Sequence, residues 1–220
     1  MPFYINIHSH SKAIGTEWVL QNLHSRFEDL TPYNCYSVGL HPWFIHEEAF
    51  PEQLQSLEEA ATRPQVKAIG ECGLDRVCNT PMPLQKKVFH AQILLARSYN
   101  KPLIIHCVRA LEETIRELDH EAHNIPVLFH GFTGSREKAL QLTRRGYFLS
   151  FGKSLFQRRL HEMLTALPKE QWLLETDDAS ISIESLYEIA AKSLNIPEDV
   201  LSLQIQKNAT SFLGFAPTTI

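Results

Sequence analysis

The most constraining feature of this sequence is an alternation. Short β-rich runs recur between amphipathic stretches, at residues 3–7, 35–40, 66–70, 103–105, 127–129, 147–151 and 172–174. Several runs are continuously apolar, as expected for strands covered on both faces of a parallel sheet. The stretches between them carry helical spacing. Leu84, Val88, Ala91 and Leu95 form one such series and Phe89, Ile93 and Ala96 another, with Pro81 and Pro83 just upstream. Residues 54–61 and 111–118 read the same way. Strand and helix in alternation predict an α/β fold. The runs end at intervals of roughly 20–35 residues, against about 31 per unit in an eight-unit barrel. The expectation is therefore one domain over residues 1–220, a TIM-like (β/α) barrel. It should have seven clear strands and a short or missing eighth, because no clear run follows Asp177.

The residues closing the runs carry the chemistry. His8 and His10 follow the first, His41 the second, Glu71 the third, His106 the fourth, His130 the fifth and Asp177 the seventh. Positions i and i+2 of a strand point to one side, so His8 and His10 can hold one ion together. Read alone, each of these residues has an ordinary alternative. His8 and His10 can be exposed strand-end residues, and Glu71 can be a helix cap or an ion-pair partner. His106 and His130 can be hydrogen-bonded core residues, and Asp177 a turn acid. Barrel active sites, however, are assembled at the C-terminal ends of the strands. Six coincidences of type and place point to metal ligands: His8, His10, Glu71, His106, His130 and Asp177. The donor set suits Zn²⁺, Mn²⁺ or a related divalent ion, and the count suits two ions. Two such ions lower the pKa of a bound water and stabilise a developing oxyanion. The residues thus predict a metal-dependent hydrolase and leave its substrate open.

Other residues read less sharply. His41 either lines the pocket or is a turn residue fixed by Pro42. Asp75 and Glu175 either orient ligand imidazoles or are surface turn acids. A guanidinium or ammonium group such as Arg76, Arg109 or Lys153 could meet a phosphate. His24, His46, His90, His120, His123 and His161 read as solvated, and Cys72 and Cys107 as small fillers. A net charge of −4 without a basic tail argues against a general electrostatic binder of nucleic acid, while leaving a local site open. Four cysteines without Cys-x-x-Cys spacing indicate neither a zinc knuckle nor a disulfide framework, which suits a reducing cytosol. No apolar run approaches the ~18 residues of a membrane span. The opening Met1-Pro2-Phe3-Tyr4 carries no signal-peptide pattern, so the expected location is cytoplasmic.

Taken in order, Asn6-Ile7-His8-Ser9-His10, Gly39-Leu40-His41-Pro42, Gly70-Glu71-Cys72-Gly73-Leu74-Asp75, Ile104-Ile105-His106, His130-Gly131-Phe132-Thr133-Gly134 and Glu175-Thr176-Asp177 resemble the TatD family. This is a family of metal-dependent hydrolases and deoxyribonucleases in the amidohydrolase-like superfamily. Residues 88–96 and Gln206-Lys207-Asn208-Ala209 to Phe212 are similar to further segments of it. The resemblance implies that His8, His10, Glu71 and Asp177 hold one metal, and that Glu71, His106 and His130 hold the second. The ions would be Mg²⁺, Mn²⁺ or Zn²⁺. It implies a water attacking phosphorus, with Asp177 and Glu71 as the catalytic pair and Asp177 accepting the proton. The implied activity is that of a 3′-5′ exonuclease on DNA ends, with no obligate protein partner and a monomeric state. Two other readings serve the same ligands. One is an amide or ester hydrolase, deacylating a small molecule or aminoacyl-tRNA; the other is a non-catalytic barrel with a structural metal.

The chain departs from the family pattern at several positions. Asn6, Lys12, Trp43 and Arg76 stand where Asp, Asp, His and an aromatic are usual. Val108 takes the place of an Arg, with Arg109 one residue later, and the loop after Asp177 is trimmed.

Overall fold

The strands are β1 (Ile5–Ser9), β2 (Trp18–Leu23), β3 (Cys35–Val38), β4 (Val66–Asp75), β5 (Leu103–Val108), β6 (Val127–Phe129), β7 (Phe148–Phe151) and β8 (Trp172–Leu174). They lie in that order in one sheet, and every pair with a described register is parallel. Just past β8 the chain returns to β1 through a parallel bridge between Ser9 and Asp177. A sheet whose last strand meets its first is a barrel, and the α/β expectation holds. This computed structural model describes every residue except Met1, Ile14, Thr16, His123, Thr219 and Ile220, so the reading of His123 lies outside the described residues. Among the described residues, no helix is long and apolar enough to cross a membrane.

One strand expectation needs correction. The eighth strand is present, and the strand hidden in the sequence is β2 rather than the last. Gln21 and Asn22 interrupt its apolar run, yet both are buried. Their polarity has a use: the Asn22 side-chain oxygen accepts from the Ser37 hydroxyl and from the Glu71 amide, each at 2.9 Å.

By contact density the chain divides into two compact units, Asn22–Val127 and the pair of segments Met1–Gln21 and Leu128–Ile220. The unit Asn22–Val127 contains helices α1 (Phe50–Ala61), α2 (Met82–Ser98) and α3 (Leu111–Glu121). α2 starts directly after Pro81 and carries Pro83 in its first turn, where no backbone donor is required. Its buried face holds Val88, Phe89, Ile93 and Ala96, and also Gln85 and Gln92. Those two amides tie the helix to neighbouring backbone. Gln92 bonds both the N–H and the carbonyl of Leu40, at 2.7 and 3.1 Å, which fixes the strand end carrying His41. Gln85 does the same for Asp75, at 2.7 and 2.8 Å. β4 lies so close to β5 that only glycine fits on either side of Glu71. A Cβ at Gly73 would stand 2.1 Å from the His106 carbonyl oxygen, and one at Gly70 would stand 2.5 Å from that of Ile104.

The other unit carries α4 (Arg136–Arg144), α5 (Arg158–Ala166), α6 (Ile183–Leu194) and α7 (Glu198–Leu213). α6 follows the short segment after Asp177, and its first turn is capped by Ser182, which accepts from the Ser185 N–H. The buried face of α6 presents Tyr187, whose hydroxyl accepts from the Ile5 N–H at 3.0 Å and donates to the Ile5 carbonyl at 3.2 Å. α7 contributes Asn208, buried, donating to the carbonyls of Lys169 and Trp172 at 2.7 and 2.8 Å and so fixing the entry of β8. The core side chain Phe212 on the same helix is fully buried; truncating such a residue to Ala costs about 3–5 kcal/mol.

Candidate functional site

In the unit built from the two chain-terminal segments, β1 delivers His8 and His10 with ring centroids 5.5 Å apart. Asp177 meets them from beyond β8. Its Oδ1 lies 3.6 Å from His8 Nε2 and 3.4 Å from His10 Nε2. Backbone bonds set this meeting: the Asp177 N–H donates to the His8 carbonyl at 3.0 Å, and the His10 N–H donates to the Asp177 carbonyl at 3.1 Å. Asp177 has φ 53, a left-handed conformation that Asp tolerates better than most side chains. Burial pushes its carboxyl up, but hydrogen bonds with His10 and His8 and the charges of His8 and His130 outweigh this. They hold it well below the usual carboxylate range.

Asn6 sits behind this cluster. Its Nδ2 donates to Thr176 Oγ1 at 2.8 Å, its Oδ1 accepts from the Thr176 N–H at 3.0 Å, and the Thr176 hydroxyl donates to Ser9 Oγ at 3.0 Å. An amide can donate and accept in this way, whereas an ionised Asp can only accept. His130, closing β6, lies with its ring centroid 4.5 Å from that of His8 and its Nδ1 3.4 Å from Glu175 Oε1. Glu175 is fully buried, and its other oxygen accepts from the Ser150 hydroxyl. The sixth run, which offers no ligand, thus supplies the hydroxyl that orients Glu175.

In the unit Asn22–Val127, Glu71, His41 and His106 form a second, buried cluster. His106 Nδ1 is 2.8 Å from Glu71 Oε1, and His41 Nε2 is 3.2 Å from each of those two atoms. The other nitrogen of His106, Nε2, is 3.0 Å from Asp75 Oδ2. Asp75 also accepts the indole N–H of Trp43 at 2.6 Å and the Val77 N–H at 2.7 Å. Burial pushes the Asp75 carboxyl up, but the bonds from Trp43, His106 and Val77 bring it below its ordinary value. Cys72, next to Glu71, is wholly buried, and burial together with the Glu71 charge pushes its thiol up, as suits an inert filler.

Within one unit the structure therefore gathers His8, His10 and Asp177, with His130 and Glu175 against them, and within the unit Asn22–Val127 it gathers Glu71, His106 and His41 with Asp75 behind. Asp75 and Glu175 are buried, each with a carboxylate oxygen facing a histidine ring nitrogen. His41 is buried, with its ring nitrogen 3.2 Å from both Glu71 Oε1 and His106 Nδ1. The cations differ. Lys153 is exposed and pairs with Asp178 at 3.1 Å, Arg76 pairs with Glu113, and Arg109 is exposed at the end of β5. Of the remaining histidines, His46 and His120 are exposed. His24 stacks on Phe44, and His161 bonds the Leu155 carbonyl at 2.7 Å. The residues that sequence reading missed are Asn22, Gln85, Gln92 and the Trp43 contact to Asp75. For the two glutamines a signal existed, since both fall on the apolar face of a helix.

Known proteins resemble this chain in sequence and in fold. The chain is 37% identical over 153 residues to the 3′-5′ ssDNA/RNA exonuclease TatD of Escherichia fergusonii, a stretch covering 66% of this chain and 58% of the relative. It is 36% identical over 146 residues to the uncharacterized metal-dependent hydrolase YabD of Bacillus subtilis, covering 64% and 57%. The chain thus spans less than two thirds of the length of these curated relatives. Its fold is similar to that of YJJV, a TatD homolog from Escherichia coli, with a TM-score of 0.80, 21% identity, and coverage of 96% of this chain and 98% of that one. The family described as TatD related DNase matches residues 16–213. The chain belongs to the TatD-related DNase family.

Proposed function

We propose that this chain is a divalent-metal-dependent hydrolase that cleaves phosphodiester bonds of single-stranded nucleic acid, removing nucleotides in the 3′ to 5′ sense. The carrying observation is the donor spacing in the cluster of His8, His10 and Asp177. Donors sharing a tetrahedral ion with bonds of about 2.1 Å stand about 3.4 Å apart. The distances from Asp177 Oδ1 to the two imidazoles, 3.4 and 3.6 Å, match that edge. The mixed nitrogen and oxygen donors suit Zn²⁺ or Mn²⁺, with Mg²⁺ admitted by the carboxylates. On this reading His8, His10, His130 and Asp177 are metal ligands in one unit, and Glu71 and His106 are metal ligands in the unit Asn22–Val127.

A bound divalent ion supplies a water of lowered pKa and stabilises negative charge on the phosphoryl oxygens. The protein's own groups do the rest. Asp177, held ionised, accepts the proton of the attacking water. Glu71 is the second catalytic carboxylate. Asp75 fixes the ring and tautomer of His106 by accepting at Nε2, and Glu175 does so for His130 at Nδ1. The relatives' names, an ssDNA/RNA exonuclease and a metal-dependent hydrolase, support the reaction class. We read the protein as cytoplasmic and monomeric.

One observation favours a second reading, a metal-dependent amide or ester hydrolase. Two of the three cations named above as candidates to grip phosphate, Arg76 and Lys153, are engaged with carboxylates. Incubating end-labelled single-stranded DNA with the protein and Mg²⁺ or Mn²⁺ separates the readings. Stepwise shortening from the 3′ end, abolished by chelator and by Glu71→Ala, is the expected result. Intact DNA beside turnover of an ester or amide panel would transfer the assignment to the second reading.

A further inference from the structure

Trp43 is the one tryptophan of three that faces solvent: it is 56% exposed, against 5% for Trp18 and 1% for Trp172. An exposed indole is normally mobile, but this one is held. Its N–H donates to Asp75 Oδ2 at 2.6 Å, and that same oxygen lies 3.0 Å from His106 Nε2. The ring is therefore fixed one carboxylate away from a proposed ligand, with centroids 5.9 Å apart. Each aromatic contact described for it is edge-on, at 89° to His41, 69° to Phe44 and 79° to His106. Among the described residues no ring lies flat against an indole face. The indole also walls a cavity of about 290 Å³ with Asp75, Val77, Cys78 and Asn79. That is the small end of ligand pockets, roughly 300–1,000 Å³, and it accommodates one residue of a ligand rather than a length of strand. The Asp75 carboxylate in its wall repels a phosphate and leaves the cavity to an uncharged, planar group.

We propose that Trp43 is a stacking platform for one unpaired base of a single-stranded substrate, placing the adjoining phosphodiester beside His106 and Glu71. This rests on the nucleic-acid reading above. Stacking on an aromatic side chain tolerates any base, because every base has a π-face. Asp75 has a second task in this arrangement, setting the plane of the platform and the ring of His106 together.

The test uses intrinsic fluorescence, since the other two indoles are buried. A short oligodeoxynucleotide with cleavage-resistant phosphorothioate linkages is titrated into the metal-loaded protein. A twin oligonucleotide carries an abasic 3′-terminal residue. Binding is followed separately by the anisotropy of a 5′ label. The intact oligonucleotide should quench the indole emission, and the abasic twin should bind about five- to hundredfold more weakly without quenching. Trp43→Ala should lose affinity by the same factor, and Trp43→Phe should keep most of it. Both variants lose the bond to Asp75, so equal losses would assign Trp43 a positioning role only and overturn the stacking proposal. Unchanged anisotropy titrations in all three proteins would overturn it and leave the nucleic-acid reading standing. No anisotropy change with the parent would overturn both.

Discussion

His8, His10 and Asp177 stand 3.4–3.6 Å apart and keep about a third of the His10 and Asp177 side chains in solvent, whereas His41, Glu71 and His106 stand 2.8–3.2 Å apart and are buried. The donor types are alike, two imidazoles and one carboxylate in each. What differs is the support. The open cluster is held through the backbone, by the two hydrogen bonds that join the Asp177 peptide groups to those of His8 and His10. The buried cluster is held through side chains, with Asp75, Gln85, Gln92 and Asn22 each fixing one part. An open set with donors spaced for an ion is suited to an exchangeable cation and an arriving substrate. A buried, hydrogen-bonded set keeps its shape without one, because an unpaired buried polar group would cost about 1–3 kcal/mol.

The largest expected effects come from the carboxylates themselves. Asp177→Asn and Glu71→Gln should each lower metal-dependent turnover of a labelled single strand by about a thousandfold, within the 10²–10⁴ range for a positioned proton-transfer group. A tenfold gap between the two variants would show that the clusters contribute unequally. Next come the supporting acids. Asp75→Asn should weaken divalent-ion affinity by about 10–100-fold in a competition titration with a coloured chelator. Glu175→Gln should weaken it less, because its contact to His130 is longer, at 3.4 Å against 3.0 Å for Asp75 and His106. The reverse order would make side-chain support as important in the open cluster as in the buried one.

The acid limb of stability comes third. The Asp177 carboxyl is lowered in the folded state, so its stabilising contribution is present above the ordinary carboxylate value of 3.8 and is lost as the pH falls below it. Denaturant midpoints of metal-free protein should fall between pH 5 and pH 2.5 (on the order of one carboxylate's linkage window). Asp177→Asn should flatten that fall, and an unchanged slope would move the acid sensitivity to Asp75 in the other unit. The smallest effect belongs to Lys153→Ala. Its pair with Asp178 is more than half exposed on both sides, so urea denaturation should register less than about 0.5 kcal/mol.

Much of this was legible from residue order. The ends of five runs gave the six proposed ligands, two of them at the first, because apolar β-runs are easily seen and the polar residue that stops each one is conspicuous. The places where reading failed share a cause. β2 was hidden by Gln21 and Asn22, and Asn22 is polar because it holds the Glu71 amide. Gln85 and Gln92 interrupt an apolar helix face because they clamp Asp75 and Leu40. In each case a residue that breaks the local pattern serves a distant part of the chain, and its partner is set by tertiary contact. The closeness of the His41 ring to Glu71 and His106 is absent from residue order for a related reason: it follows from how three strands align, which sequence spacing does not contain.

The pair of peptide hydrogen bonds joining Asp177 to His8 and His10 also has a mechanical meaning. Those residues lie near the two ends of the chain order of strands, so these bonds form the seam along which the sheet closes on itself. A cation shared by the same three side chains would act as a rivet on that seam. Its binding free energy would then be felt as cohesion between the first and last strands. Amide exchange at His10 and Asp177 should slow on metal addition, which would make these two amides a gauge of occupancy that needs no substrate.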